Sequence, residues 1–145
     1  MKKLIFLFLF IPFLSKTHAQ FTITNTSTIS LAELRSDPWP LELQRVVKES
    51  DTIYLLSFRD QQYTTEVNMS TLKFGNLQQL KYFQKGLAAL KNGSNGDEAK
   101  FKEYSVKRAD VKKEGICYIL TGSLGEIVNF RQPEADKMIM TIKSL

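Results

Sequence analysis

Apolar positions along this chain follow two rhythms, and each rhythm names a kind of element. Thr52-Ile53-Tyr54-Leu55-Leu56-Ser57-Phe58 is a dense run of β-branched, aromatic and aliphatic residues of strand length, which predicts a strand central to a sheet. Leu41, Leu43 and Val46-Val47 precede it across the polar break Lys48-Glu49-Ser50-Asp51 and read as a more regular segment leading into it. Arg59-Asp60-Gln61-Gln62 reads as a turn. Beyond it Tyr63, Thr65, Val67 and Met69 alternate with polar residues, which predicts a return strand and a hairpin.

The period then changes. Asn76 is a good N-cap residue with Gln79 three positions later, the spacing of a capping box, so a helix should start there. Leu77, Leu80, Phe83 or Gln84, Leu87 and Leu90 recur every three to four residues and form one buried stripe. Asn92-Gly93 should end the helix, with the glycine in the left-handed conformation. Gly86 interrupts the stripe at a cost of about 1 kcal/mol relative to alanine, a cost offset if a strand passes close over it.

After the turn Ser94-Asn95-Gly96-Asp97, residues 98–108 read as a charged strand holding Phe101, Tyr104 and Val106. Ile116-Cys117-Tyr118-Ile119-Leu120-Thr121 is a second strong strand, and Gly122-Ser123-Leu124-Gly125 should turn it into residues 126–131. Gln132-Pro133-Glu134 puts proline and an acid in a helix first turn, and Ala135, Met138, Ile139 and Ile142 supply the stripe of a closing helix. The order strands, helix, strands, helix predicts an α+β fold, mostly antiparallel sheet with both helices packed on one face. Glu66-Val67-Asn68-Met69 and Ile127-Val128-Asn129-Phe130 hold similar places before the two helices and hint at an internal duplication.

Residues 1–19 stand outside this pattern. Lys2 and Lys3 precede an apolar run from Leu4 to Leu14 that contains Pro12, and Thr17 and Ala19 put small residues before Gln20. That is the layout of a secretory signal peptide, and the run falls short of the roughly 20 residues a spanning helix needs. The expected organisation is a signal peptide over 1–19, an N-terminal arm over 20–40 and a single α+β domain over 41–145. Phe21 and Ile23 alternate in the Ser/Thr-rich arm, which suits an edge strand and a loose tail equally. The expected destination is the periplasm or the medium, with no membrane-spanning segment after cleavage.

Export changes how composition is read. Losing Lys2, Lys3 and Lys16 takes the formal charge of the 145-residue chain from +5 to +2, too small to imply an anionic partner by itself. The only histidine, His18, leaves with the signal peptide, and Cys117 is the only cysteine. Nucleophilic triads that depend on a histidine base and the usual His/Cys zinc sites are therefore not expected. Nor does the chain hold a Walker-type loop or a dinucleotide fingerprint, so no catalytic residue, metal or cofactor is assigned. Cys117 reads as an inert thiol in a buried strand.

Carboxylate chemistry passes this filter, because glycoside hydrolysis needs only two acids. Glu66 and Glu126, each near a strand that precedes a helix, are the nominal pair. Two regions suggest binding instead. Lys100, Lys102, Lys107 and Arg108 interleave with Phe101 and Tyr104, a pattern that in the cytoplasm would suit single-stranded nucleic acid. In an exported chain it reads as a lysine-protected edge strand or as contact with an anionic envelope polymer or an acidic protein surface. Trp39, held between Pro38 and Pro40, either presents an apolar anchor or covers one end of its own sheet. The expected function is a small non-catalytic binding module that contacts a protein or envelope component, an inhibitor of an extracellular enzyme being one form of it. A carboxylate-dependent hydrolase acting on glycans is the alternative.

Overall fold

The computed structural model describes residues 26–36, 38–63 and 65–145; the expected signal peptide over 1–19 and the Phe21/Ile23 alternation lie outside them. Eight strands and two helices follow in the order β1 (Thr26–Arg35), β2 (Leu41–Lys48), β3 (Asp51–Arg59), β4 (Met69–Gly75), α1 (Leu77–Lys91), β5 (Glu98–Lys100), β6 (Tyr104–Val111), β7 (Gly115–Gly122), β8 (Ile127–Arg131) and α2 (Gln132–Lys143). The fold is α+β with the expected order of strands, helix, strands, helix. Its strands make two four-stranded antiparallel sheets, β1-β2-β3-β4 and β5-β6-β7-β8, each followed by its helix.

One segment follows the edge-strand alternative that the sequence left open, and two differ from the sequence reading. Residues 26–35, placed in an N-terminal arm, are the full edge strand β1 paired along β2. The return strand starts at Met69, later than expected, and Tyr63, Val67 and Met69 are exposed. The chain before it is occupied elsewhere. Gln61 N donates to Ile127 O (2.8 Å), Ile127 N to Asp60 Oδ1 (3.0 Å) and Asn129 N to Gln61 Oε1 (3.0 Å), so this connection covers the free edge of β8, and the expected β3–β4 hairpin forms through a long connection in place of a tight turn. Finally, residues 98–108 are two strands, β5 and β6, joined by a tight turn closed by Phe101 N donating to Tyr104 O (2.8 Å).

Alternation aims one face of every strand inward. Leu41, Leu43, Tyr54, Leu56, Phe58, Leu72 and Phe74 from the first sheet join Val106, Tyr118, Leu120, Val128 and Phe130 from the second in one core with the stripes of both helices. The stripe of α1 is Leu80, Phe83, Gln84, Leu87 and Leu90, that of α2 Ala135, Met138, Ile139 and Ile142, as the spacing predicts. Asn76 Oδ1 accepts from Gln79 N (3.0 Å) while Asn76 N donates to Gln79 Oε1 (3.2 Å), completing the capping box of α1. Gly93 does not adopt the left-handed conformation. Its role is room, since a Cβ there would lie 2.5 Å from the Asp97 carboxylate that accepts from Ser94 N.

The second, third and fourth strands of the two ββββα units correspond in register. Leu43 faces Leu56 and Arg45 faces Tyr54 in the first; Val106 faces Leu120 and Arg108 faces Tyr118 in the second. Leu56 in turn pairs with Leu72, and Leu120 with Val128. The strand matching Val128-Asn129-Phe130 is thus Leu72-Lys73-Phe74, and the segment 66–69 suggested by the sequence lies before it.

Candidate functional site

A groove of about 1000 Å³ opens where β4 turns into α1 beneath the tip of the β5–β6 hairpin. Its floor is aromatic. Phe101 and Tyr104 stack with centroids 4.6 Å apart, Phe74 meets the edge of Tyr104 at 5.6 Å, and Tyr82 meets the edge of Phe101 at 5.8 Å. Phe101 reaches this position because Gly86 lacks a side chain: a Cβ there would lie 2.6 Å from Phe101 Cζ and 3.4 Å from Ala99 Cβ. The helix-breaking residue noted in the sequence is the place where β5 and the hairpin tip lie down on α1.

The walls are basic. Lys73 comes from β4, Lys81 and Lys85 from successive turns of α1, and Lys102 from the hairpin tip. Lys102 lies 3.5 Å from Glu103, the one acid among the lining residues. Lys73, Lys81 and Lys85 are exposed and form no ion pair among the described residues. Burial pushes the Tyr104 hydroxyl far above its ordinary range, so it stays protonated well into alkaline pH.

Of the residues singled out from sequence, Phe101, Lys102 and Tyr104 meet in this groove, and the others do not. Lys100 pairs with Glu98 at 3.4 Å on β5, and Lys107 lies opposite the same acid across the ladder. Arg108, expected on a binding face, is only 9% exposed. It donates to Leu90 O (3.2 Å) and Lys91 O (2.8 Å) and pairs with Asp110 (2.9 Å), satisfying the last carbonyls of α1 as a C-terminal cap. Glu126 accepts from Leu124 N (3.1 Å) within its own turn, and Glu66 is exposed ahead of β4. Among the described residues no group of three His, Cys, Asp or Glu is placed to hold a metal.

Trp39 belongs to the counterpart of this groove, where the β1–β2 connection meets the β8–α2 junction. Leu41 holds the register position of Tyr104, so Trp39 corresponds to Lys102; Asn129 corresponds to Lys73, and Glu134 to Gln79 at the third position of each helix. The chain between the paired residues Ala32 and Leu43 is longer than that between Ala99 and Val106, and it crosses its own corner. Arg35 donates to Trp39 O (2.6 Å) and Asn129 O (3.2 Å) and pairs with Glu134 (3.5 Å), while Lys137 Nζ donates to Glu33 O (2.6 Å). The Arg59 guanidinium lies 4.0 Å from the Trp39 ring centroid and donates to Pro38 O (3.1 Å). One corner is therefore tied shut by its own chain, and the equivalent corner is open and lined with lysine.

Sequence reading found the hairpin tip and missed Lys73, Phe74, Lys81, Tyr82 and Lys85. The available signal was Tyr82, a large aromatic residue 65% exposed on the polar face of α1 between two lysines. No known protein family and no curated protein matches this chain.

Proposed function

We propose that the chain is an exported, non-catalytic binding module that contacts a protein or envelope component through the groove between β4, α1 and the β5–β6 tip. One observation carries this reading: the groove joins Lys73, Lys81 and Lys85, unpaired among the described residues, to an aromatic floor, whereas the equivalent corner, between the β1–β2 connection and the β8–α2 junction, is occupied by the chain's own Arg35–Trp39 crossing. Exposed aromatic and basic side chains gathered in a concavity suit recognition. The layout of residues 1–19 supports export to the periplasm or the medium.

The test is affinity capture by the exported protein from envelope and culture-fluid fractions, run beside a K73Q/K81Q/K85Q variant. A stoichiometric component retained by the first and lost from the second is expected. Equal retention by both proteins would remove the groove from the function. Glycan turnover abolished by E66Q or E126Q would replace binding with hydrolysis.

A further inference from the structure

We infer that the occupant of the groove is a short, extended, acidic segment of a partner protein, with one apolar side chain seated on the stacked rings of Phe101 and Tyr104. This rests on the groove being the binding site and adds the chemistry of what fills it. Three observations select it.

The first is the placing of charge. Lys73, Lys81, Lys85 and Lys102 stand on three separate elements around the opening, and the only lining acid is already committed to Lys102. Carboxylates distributed along a chain meet such a ring better than one compact anion does. The second is the floor. Stacked rings of Phe101 and Tyr104 beside Phe74 offer an apolar contact that a ligand carrying charge alone would leave uncovered. The third is the counterpart corner, where a polypeptide segment already lies across the same β-to-α junction. There Arg35 of the crossing donates to Trp39 O in its own segment and to Asn129 O on β8 and pairs with Glu134, while Lys137 of α2 donates to Glu33 O. That corner accommodates a polypeptide crossing, and Lys137 of α2 takes one of its main-chain carbonyls, which favours a peptide over a polysaccharide.

A display library of random nine-residue peptides panned on the exported protein is the probe, with the selected peptides measured by fluorescence anisotropy. Enrichment of sequences holding two or more Asp or Glu and an aromatic or large aliphatic residue is expected. Affinity should fall at least tenfold in K73Q/K81Q/K85Q and be retained in K112Q/K113Q, whose substitutions are exposed and outside the groove. No enrichment, enrichment without acids, or equal binding to both variants overturns the peptide assignment. Polygalacturonate oligomers that bind the parent protein and not the triple variant overturn it as well, yet leave the groove standing as the binding site. Loss of the groove itself is read separately, from equal capture by parent and triple variant in the extract experiment.

Discussion

Gly86 shows how one absent side chain can set up a surface. In the middle of a helix glycine costs about 1 kcal/mol relative to alanine, so helix propensity alone predicts that Gly86→Ala stabilises. Packing predicts the reverse, because the new methyl would meet Phe101 Cζ at 2.6 Å. That ring packs against Tyr104, Phe83 and Tyr82, so yielding to the methyl means giving up those contacts. Overpacking at such a contact costs about 1–3 kcal/mol. We expect G86A to lower stability by about 1 kcal/mol in urea unfolding and to weaken groove binding by displacing the floor; a more stable variant would show that the ring moves freely. Arg108 illustrates the opposite case, a residue that looked like surface and is buried. Its sequence neighbours Lys107 and Asp110 are exposed, and nothing local reveals that the α1 carbonyls lie beneath it. Arg108→Met keeps the stem and removes the donors, so a loss of about 2 kcal/mol is expected from charge-assisted hydrogen bonds. Groove affinity of the folded variant should stay unchanged, and a fall in affinity at full stability would return Arg108 to the binding surface.

At the scale of elements, what could be read from sequence depended on whether the deciding partners were local. The start of α1 is local: Asn76 and Gln79 satisfy each other within one turn, and the same signature appears in sequence and structure. Replacing Asn76 by Ala should cost about 1 kcal/mol, read as a lower urea midpoint with an unchanged slope. The corresponding change at the N-cap of α2 should matter less. Arg131 has no acceptor to offer, and only the reciprocal bond from Arg131 N to Glu134 Oε2 (2.5 Å) is made. An Asn76→Ala variant as stable as the parent would mean the helix is held by packing alone. The misplaced return strand has a distant cause. Tyr63 to Met69 alternates as well as β4 does, but Asp60 and Gln61 are drawn to Ile127 and Asn129 on β8, and this diverts the chain from a tight hairpin. Asp60, only 2% exposed, is anchored by Gln62 N and Ile127 N, and the second of these lies far off in sequence. Alternation reports a possible strand; it does not report which edge needs covering.

For the whole molecule, the two ββββα units do not behave as separate bodies. α1 lies on β5 and β6 of the second unit through Gly86, Ala99 and Phe101, and Lys137 of α2 reaches Glu33 on β1 of the first. The buried side chains of both sheets form one cluster. The candidate site shares this character, since its lysines come from β4, α1 and the hairpin tip, and only the tip was contiguous enough to be noticed in sequence. One shared core predicts one cooperative transition, and the chain carries a natural reporter in each sheet. Trp39, under Arg59, reports on the first by fluorescence. Cys117 reports on the second: it is 8% exposed, on the opposite face of β7 from Tyr118, and burial together with nearby Glu114 raises its thiol pKa while Arg131 opposes the rise. With less thiolate and little access, Cys117 should react slowly with a thiol reagent at neutral pH until the sheet opens. Urea curves from the two probes should therefore share one midpoint. Leu56→Ala, made in the first sheet at a fully buried position, should shift both by the same amount, corresponding to about 2–5 kcal/mol. A Cys117 transition left in place by L56A would divide the molecule into independent halves and leave the open groove, which spans both units, without a rigid frame.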